Sequence, residues 1–362
     1  MKAGTSVLTA SSDKLHMPTM KGLVEQIASL HSQGTEVLLV TSGAIAAGMK
    51  PLDVAGDRSH VPFRQVLAAV GQNRLMQAYS SLFESWDIPV AQALLTRRDL
   101  EDRQGYLNVR NTLLSLLDHW VVPIINENDV VAVDEIGSVF GDNDTLSALV
   151  ANLVDADLLV ILTDADGLFT ADPRTHPEAE LLPKVERIDS YIESLAGGHH
   201  STWSRGGMPS KLEAAKVATR SGVTVVICNG RLPDVVPRIA GGESLGTLFT
   251  PTASKVESRK RWMLSGLSVN GDIVIDQGAE KALREQNRSL LPAGVKDVCG
   301  DFQRGDVVYI TSLEKERLAC GLVNYSAAEV ARIKGHRSDS IQEILGCHYG
   351  QEVVHRNNMV LM

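Results

Sequence analysis

Two carboxylates and a carboxamide stand together in the run Asp142-Asn143-Asp144, directly after Gly141. Apolar residues recur at helical spacing behind this run, at positions 146, 149, 150 and 153. We therefore predict that the run lies at a helix N-terminus, where exposed N–H groups and the positive end of the helix dipole favour anions. Asp and Asn are also the preferred N-cap residues, so the run by itself fits a structural cap better than a functional site.

Small and polar residues also follow several predicted buried strands. The stretch at 41–48, which includes Ser42, follows an apolar strand at 37–40. Asp129 closes a polar run behind the strand at 121–125, and Thr163 and Asp164 follow the strand at 158–162. Open α/β sheets bind ligands at the carboxyl ends of their strands. Tight packing and ordinary polar loops explain the same residues, so both interpretations stay open here.

Lys2 and Lys211 are the cations of this pattern. Lys2 opens the run Lys-Ala-Gly-Thr-Ser, and Lys211 follows a polar loop at 201–207 and Pro209, a residue favoured in the first turn of a helix. The sequence contains no Walker-type loop, no G-x-G-x-x-G, no G-x-S-x-G and no metal-spaced histidines. With these motifs absent, the candidate functional features are glycine loops, lysines and Asp or Asn residues. These are the residue types that phosphoryl transfer uses.

Strand, polar loop and helix alternate along residues 1–250, which predicts a mostly parallel sheet with helices on both faces. One of these helices, at 107–117, is predicted to carry Arg110 on its polar side. Residues 251–271 are typical of a linker. Short apolar runs at 273–275, 307–310 and 353–354 predict a small β-rich domain over 272–362.

The composition of the sequence argues against several classes of protein. The 362 residues carry a net charge of −9, and residues 272–362 hold 11 basic and 13 acidic residues, which argues against a nucleic-acid binder. No apolar run approaches the roughly 18 residues of a membrane span. Neither a secretory signal nor a disulfide or zinc spacing of the four cysteines is visible, so we expect a cytoplasmic protein.

Taken in order, five motifs resemble the amino acid kinase family. They are the runs at 2–6, 41–48, 125–129, 141–144 and 206–211. Residues 273 to about 356, with Ser-Leu-Leu-Pro at 289–292, resemble a PUA domain. The resemblance implies a three-layer α/β sandwich with a mostly parallel central sheet, followed by a small β-rich PUA-like domain. The motifs are most similar to family members that transfer the γ-phosphate of ATP, with Mg²⁺, to the side-chain carboxylate of L-glutamate in proline synthesis.

The resemblance also implies a role for each matched residue. Lys2 and Lys211 are implied as the cations on the phosphates, with Asp144 orienting them. The implied glutamate-binding residues are Ser42, Asp129 and Asn143. The implied ATP-binding residues are Lys2, Thr163, Asp164, Arg205, Gly206, Gly207, Met208, Pro209, Ser210 and Lys211. Inhibition by proline and assembly into a homo-oligomer are further properties that the family implies, and no metal-ligand residue is predicted.

Two alternatives remain at this point. One is a family member that acts on aspartate, acetylglutamate or carbamate, and the other is a weakened kinase-like protein with an RNA-binding role for its PUA-like domain. The second arises because only Met1 precedes Lys2, where the family has an apolar strand. We therefore expect Lys2 to lie on a frayed terminus and the activity to be reduced.

Overall fold

A computed structural model of the protein describes residues 1–52, 61–132, 143–196, 207–254 and 270–362. The described residues divide into two compact units. The first lies within Met1–Leu100 and Val109–Ser254, and the second within Glu101–Asn108 and Lys255–Met362. The domain boundaries expected from the sequence, 1–250 and 272–362, stay predictions. None of the helices in the described ranges is long and apolar enough to cross a membrane.

The first unit is built on an eight-stranded sheet. Its strands are β1 Lys2–Ala3, β2 Leu39–Thr41, β3 Val90–Leu95, β4 Val122–Glu127, β5 Leu158–Thr163, β6 Lys184–Val185, β7 Thr224–Asn229 and β8 Thr247–Phe249. They lie in the order β3-β4-β2-β1-β5-β7-β8-β6. The strands from β3 to β7 in this order are parallel, whereas β8 runs antiparallel to β7 and pairs with β6 in parallel.

Helices cover both faces of this sheet. They are α1 Thr5–Leu8, α2 Met17–Ser32, α3 Ala44–Leu52, α4 Val61–Glu84, α5 Arg97–Glu101, α6 Arg103–Asp118, α7 Asn143–Leu153, α8 Ser190–Leu195, α9 Met208–Arg220 and α10 Val235–Ala240. The side chains of β5 show which helices lie on which face of the sheet, because successive residues of a strand point to opposite sides. Val160 and Leu162 pack in one core with α2 and α10, and Leu159 and Ile161 pack in another with α7 and α9. The predicted three-layer α/β sandwich is therefore confirmed.

The second unit contains a five-stranded sheet of order β10-β9-β11-β12-β13. The elements are β9 Gly271–Ile275, α11 Gln277–Gln286, β10 Val295–Gly300, β11 Val307–Thr311, β12 Arg317–Leu322, α12 Ala327–Ile333, α13 Ile341–Leu345 and β13 Met359–Leu361. The predicted β-rich character is confirmed. The strand expected at 353–354 is wrong, because Val354 makes only an isolated bridge to Leu290 and the last strand lies at Met359–Leu361.

Two local expectations are also wrong. Lys2 does not lie on a frayed terminus, because Lys2 pairs with Val40 and Ile161 as part of β1 between two longer strands. Arg110 does not lie on the polar side of its helix. Its side chain is 2% exposed and lies 2.5 Å from the carboxylate of Asp155, just past the end of α7. An arginine whose charge is paired can be buried, which hydrophobic periodicity alone does not reveal.

Candidate active site

One buried carboxylate joins two buried lysines at the carboxyl edge of the first sheet. The Asp144 Oδ1 atom lies 2.6 Å from Lys2 Nζ, and its Oδ2 atom lies 3.1 Å from Lys211 Nζ. The side chains of Lys2, Asp144 and Lys211 are only 4%, 0% and 8% exposed. The structure therefore brings together all three residues predicted as catalytic, each of which comes from a different element.

The three elements hold these side chains for separate reasons. Lys2 belongs to β1 at the centre of the sheet, where neighbouring strands pair with it on both sides. Asp144 lies in the first turn of α7, and Lys211 lies in the first turn of α9, behind Pro209. Alanines of both helices share one core cluster, and their small side chains allow the two helix axes to approach closely. The amino ends of α7 and α9 thus meet at the Lys–Asp–Lys group.

Ser210 also contacts the Asp144 carboxylate. Its Oγ lies 2.9 Å from Asp144 Oδ2 and 2.9 Å from the Gly207 carbonyl, so the hydroxyl can donate to either oxygen. Both oxygens of Asp144 therefore already contact a hydrogen-bond or ion-pair donor. Such a carboxylate is suited to orienting ammonium groups and poorly suited to taking up a proton. Two positive charges against one negative charge leave the group suited to an anion such as a phosphoryl group.

Asn143 begins a second polar cluster on the other side of the α7 N-terminus. Its Nδ2 lies 2.9 Å from the Thr41 carbonyl oxygen, 3.0 Å from Ser42 Oγ and 3.0 Å from Asn126 Oδ1. Its Oδ1 is buried and has no hydrogen-bond partner among the described residues. Ser42 lies just past β2, where the chain turns into α3 through Gly43 at φ +100°, a conformation that favours glycine. Two of the three predicted glutamate-binding residues, Ser42 and Asn143, thus share one cluster.

Asp129, the third of these residues, lies in the turn that follows β4. Burial raises the pKa of its carboxyl from 3.8 to about 6. The turn is held by α4, because Gln65 Nε2 donates to the backbone carbonyls of Asp129 at 3.1 Å and Val130 at 3.2 Å. Within the described residues no hydrogen bond joins the Asp129 carboxylate to the Ser42–Asn143 cluster.

The residues predicted to bind ATP fall into two groups. Met208, Pro209 and Ser210 form the first turn of α9 behind Gly207, which is the helix N-cap residue. Thr163 ends β5, and its Oγ1 lies 3.2 Å from the exposed Asp164 carboxylate. Hydrogen bonds between described residues do not connect Thr163 or Asp164 to Lys211. The predicted residues Arg205 and Gly206, like Gly141 and Asp142 of the acidic motif, lie outside the described residues.

A row of polar side chains on α4 was not anticipated from the sequence. Gln65, Gln72 and Tyr79 are spaced by seven residues, which places them on one helix face. Gln72 Oε1 accepts from Asn126 Nδ2 at 2.8 Å, and the Tyr79 hydroxyl lies 2.8 Å from Thr41 Oγ1. Burial raises the pKa of Tyr79 above its usual range, so this phenol stays protonated. The signal in the sequence is this seven-residue recurrence within an otherwise apolar stripe.

In the described ranges, groups of three or more His, Cys, Asp or Glu residues that could hold a metal ion are absent. Asp144 is the only carboxylate of the Lys–Asp–Lys group, and its oxygens already contact lysines and Ser210. A divalent cation that accompanies a nucleotide keeps most of its ligands from phosphate oxygens and water. These residues fit a cation that arrives as part of the nucleotide substrate.

Two protein-family profiles match the sequence. The sequence profile of the Amino acid kinase family matches residues 1–229, and that of the PUA domain matches residues 271–345. The chain belongs to the amino acid kinase family and carries a PUA domain.

Three curated relatives carry the name of one particular enzyme within this family. The protein named glutamate 5-kinase in Herpetosiphon aurantiacus is 52% identical over 99% of this chain and 97% of its own length. The protein of the same name in Dehalococcoides mccartyi strain CBDB1 is 50% identical, covering 100% of this chain and 97% of its own. The one in Deinococcus radiodurans is 49% identical, covering 100% and 99%.

Proposed function

We propose that this protein is a glutamate 5-kinase, which transfers the γ-phosphoryl group of MgATP to the side-chain carboxylate of L-glutamate. The product is L-glutamyl 5-phosphate, and the reaction is the first step of proline biosynthesis. The observation that carries the proposal is the buried Asp144 bound to both Lys2 and Lys211. Identity of about half of all positions to glutamate 5-kinases over the full chain supports the choice of substrate.

The chemistry requires charge neutralisation and no general base. A glutamate side chain has a pKa near 4.3 and is already ionised at neutral pH. One of its carboxylate oxygens attacks the γ-phosphorus, and the bond from phosphorus to the bridging oxygen of ADP breaks as the new bond forms. The obstacle is the approach of one anion to another. Lys2 and Lys211, held by Asp144, offset the negative charge of the phosphoryl group during transfer.

The remaining residues bind the two substrates in this proposal. The Oδ1 of Asn143, which has no hydrogen-bond partner among the described residues, accepts a hydrogen bond from the glutamate ammonium group, as does the carboxylate of Asp129. Ser42 lies beside Asn143 and supplies a hydroxyl to the same substrate. Thr163, Asp164 and the loop residues from Arg205 to Lys211 bind ATP. Mg²⁺ enters with ATP as part of that substrate.

Three further properties belong to the proposal as predictions. Inhibition by proline, assembly into a homo-oligomer and a cytoplasmic location all follow from resemblance and composition. Each can be measured directly, by activity with added proline, by light scattering and by cell fractionation.

The reaction is tested by trapping its product with hydroxylamine, which converts an acyl phosphate into a hydroxamate. We expect hydroxamate formation with MgATP and L-glutamate, and at least a hundredfold less with aspartate, N-acetylglutamate or carbamate. Replacing Lys211 with Ala should abolish most of it while the circular-dichroism spectrum stays that of the wild type. A higher kcat/KM for one of the other acceptors would contradict the proposed substrate, and near-normal kcat for Lys211→Ala would contradict the proposed site.

A further inference from the structure

Three side-chain amides form a chain that leads from the α7 N-terminus to helix α4. Asn143 Nδ2 donates to Asn126 Oδ1 at 3.0 Å, and Asn126 Nδ2 donates to Gln72 Oε1 at 2.8 Å. The Thr41 carbonyl oxygen, 2.9 Å from Asn143 Nδ2, fixes the direction of the whole chain. A carbonyl can only accept a hydrogen bond, so the Asn143 atom facing it is the nitrogen, and each later amide is oriented in turn.

This chain of three amides has a polar atom without a hydrogen-bond partner among the described residues at each of its two ends. Asn143 Oδ1 is a buried acceptor and Gln72 Nε2 is a buried donor, and neither has a hydrogen-bond partner among the described residues. An unsatisfied buried polar atom is costly, and most such atoms in folded proteins have a partner. Gln72 Nε2 can only donate, so the partner that it lacks is an acceptor, of which an anionic oxygen is the strongest.

The position of Gln72 relative to the lysines indicates which anionic group of the substrate supplies this acceptor oxygen. Lys2 and Lys211 contact Asp144, next to Asn143, whereas Gln72 lies at the far end of the amide chain. The transferred phosphoryl group and the reacting carboxylate belong with the lysines. The α-carboxylate of an amino acid substrate is the other anionic group, and it is separated from the reacting carboxylate by the length of the side chain.

We propose that Gln72 is a specificity-determining residue whose Nε2 group donates a hydrogen bond to the α-carboxylate of the substrate. This inference rests on the proposed glutamate kinase activity and adds a residue that recognises the amino-acid head group. The amide chain then presents an acceptor at Asn143 for the ammonium group and a donor at Gln72 for the carboxylate.

Gln72→Glu tests the proposal because it keeps the size of the side chain and the acceptor for Asn126 while removing the donor. The substrate pair is L-glutamate and 4-aminobutyrate, which is glutamate without its α-carboxylate. We expect kcat/KM for glutamate to fall by about ten- to a hundredfold, the usual effect of losing a hydrogen bond to a charged group. The kcat/KM for 4-aminobutyrate and the KM for ATP should change less than threefold. Gln77→Glu, at an exposed position of the same helix, is the matched control.

Gln72→Met provides a second variant, which removes the donor without adding a charge and should lose glutamate activity in the same selective way. A glutamate kcat/KM within threefold of the wild type would overturn the inference. An equal fall for glutamate and 4-aminobutyrate would also overturn it, because that pattern indicates a purely structural role. If the wild type itself forms no glutamyl hydroxamate, the proposed function fails; a wild type that is active with unselective Gln72 variants contradicts only the role of Gln72.

Discussion

Asp144 organises the candidate active site through charge. Its carboxylate is fully buried and binds Lys2 and Lys211 through different oxygens. Removing one partner from a buried charged group is far more disruptive than removing a surface ion pair, because the remaining charges lose their compensation. In the proposed reaction, Asp144 therefore determines where both ammonium groups lie relative to the phosphates.

Replacing Asp144 with Asn keeps the shape of the side chain and removes its charge. We expect kcat to fall by about a hundredfold or more, because preorganised charge at the transferring group is lost. The free energy of unfolding should fall by about 3–5 kcal/mol, because two buried lysines lose their counter-ion. Hydroxamate kinetics and urea unfolding measure the two effects, with Asp118→Asn at an exposed position as the control. A kcat within tenfold of the wild type would show that Asp144 does not organise the lysines.

We expect Asp129 to give the proposed activity a characteristic pH dependence. Burial raises the pKa of this carboxyl to about 6, so it is mostly ionised at pH 7 and mostly protonated at pH 5. Only the ionised form attracts the glutamate ammonium group, and we expect the glutamate KM to rise about tenfold from pH 7 to pH 5. Asp129→Asn should have a high KM that hardly changes over this range. A wild-type KM that stays flat, or an Asn variant that keeps the rise, would contradict the role of Asp129 in binding the ammonium group.

The residues of the candidate site can be predicted from the sequence to different degrees. Asp144 and Lys211 stand in polar motifs at helix starts, where capping and dipole arguments apply directly. Gln72 has no capping or dipole signal, and only its seven-residue spacing from Gln65 and Tyr79 distinguishes it from other glutamines of a long helix. Its partner Asn126 lies 54 positions away, and only the packing of α4 against β4 brings the two together.

At the scale of elements, the close contact of α7 with α9 determines the geometry of the site. Ala148 lies one turn behind Asp144, and Ala215 lies one turn behind Lys211 on the same side of its helix. Both alanines are fully buried in one core cluster. Their lack of longer side chains allows the two helix starts to meet, and so Lys211 reaches Asp144.

Ala215→Leu tests this packing. The added carbons should force α9 away from its neighbours, at a cost of about 1–3 kcal/mol in the free energy of unfolding. A shift of about 1 Å at Lys211 is enough to lower the rate by up to about a hundredfold, so we expect kcat to fall by about ten- to a hundredfold in protein that is still folded. Glu213→Leu, at an exposed position of the same helix, is the matched control. A kcat equal to that of the control would indicate that the spacing of the helices does not limit catalysis.

Most longer elements of the first unit follow from sequence periodicity, because β4, β5 and β7 are continuous apolar runs between helices. The short strand β1 does not. Two residues are too few to show a pattern, and their strand character comes from pairing with β2 and β5. The burial of Arg110 has a similar origin, since its partner Asp155 lies 45 residues further along the chain.

At the scale of the whole molecule, helix α6 contributes to both compact units. Its first residues belong to the second unit, where the fully buried Leu107 packs against Val307, Cys320, Leu322 and Val360. Its later residues belong to the first unit, where Arg110 pairs with Asp155. The segment Glu101–Asn108 therefore belongs to the second compact unit, although it stands far from residues 255–362 in the sequence.

Leu107→Ala should leave a cavity in the core of the second unit. We expect the free energy of unfolding to fall by about 2–5 kcal/mol, as for other buried leucines. Leu313→Ala, at a position that is 52% exposed, should change it by less than about 0.5 kcal/mol. Urea unfolding of both variants measures the difference. Equal stability of the two would mean that the contact of Leu107 with this core contributes little.

The central claim is that a carboxylate oxygen of glutamate attacks the γ-phosphorus of ATP. It is tested most directly with L-glutamate labelled with ¹⁸O in its side-chain carboxylate, in the presence of MgATP and hydroxylamine. Attack by hydroxylamine at the acyl carbon releases phosphate that keeps the bridging oxygen of the acyl phosphate. We predict one ¹⁸O atom per phosphate released, measured by mass spectrometry. Phosphate without the label would show that water, and not glutamate, receives the phosphoryl group, and would contradict the proposed function.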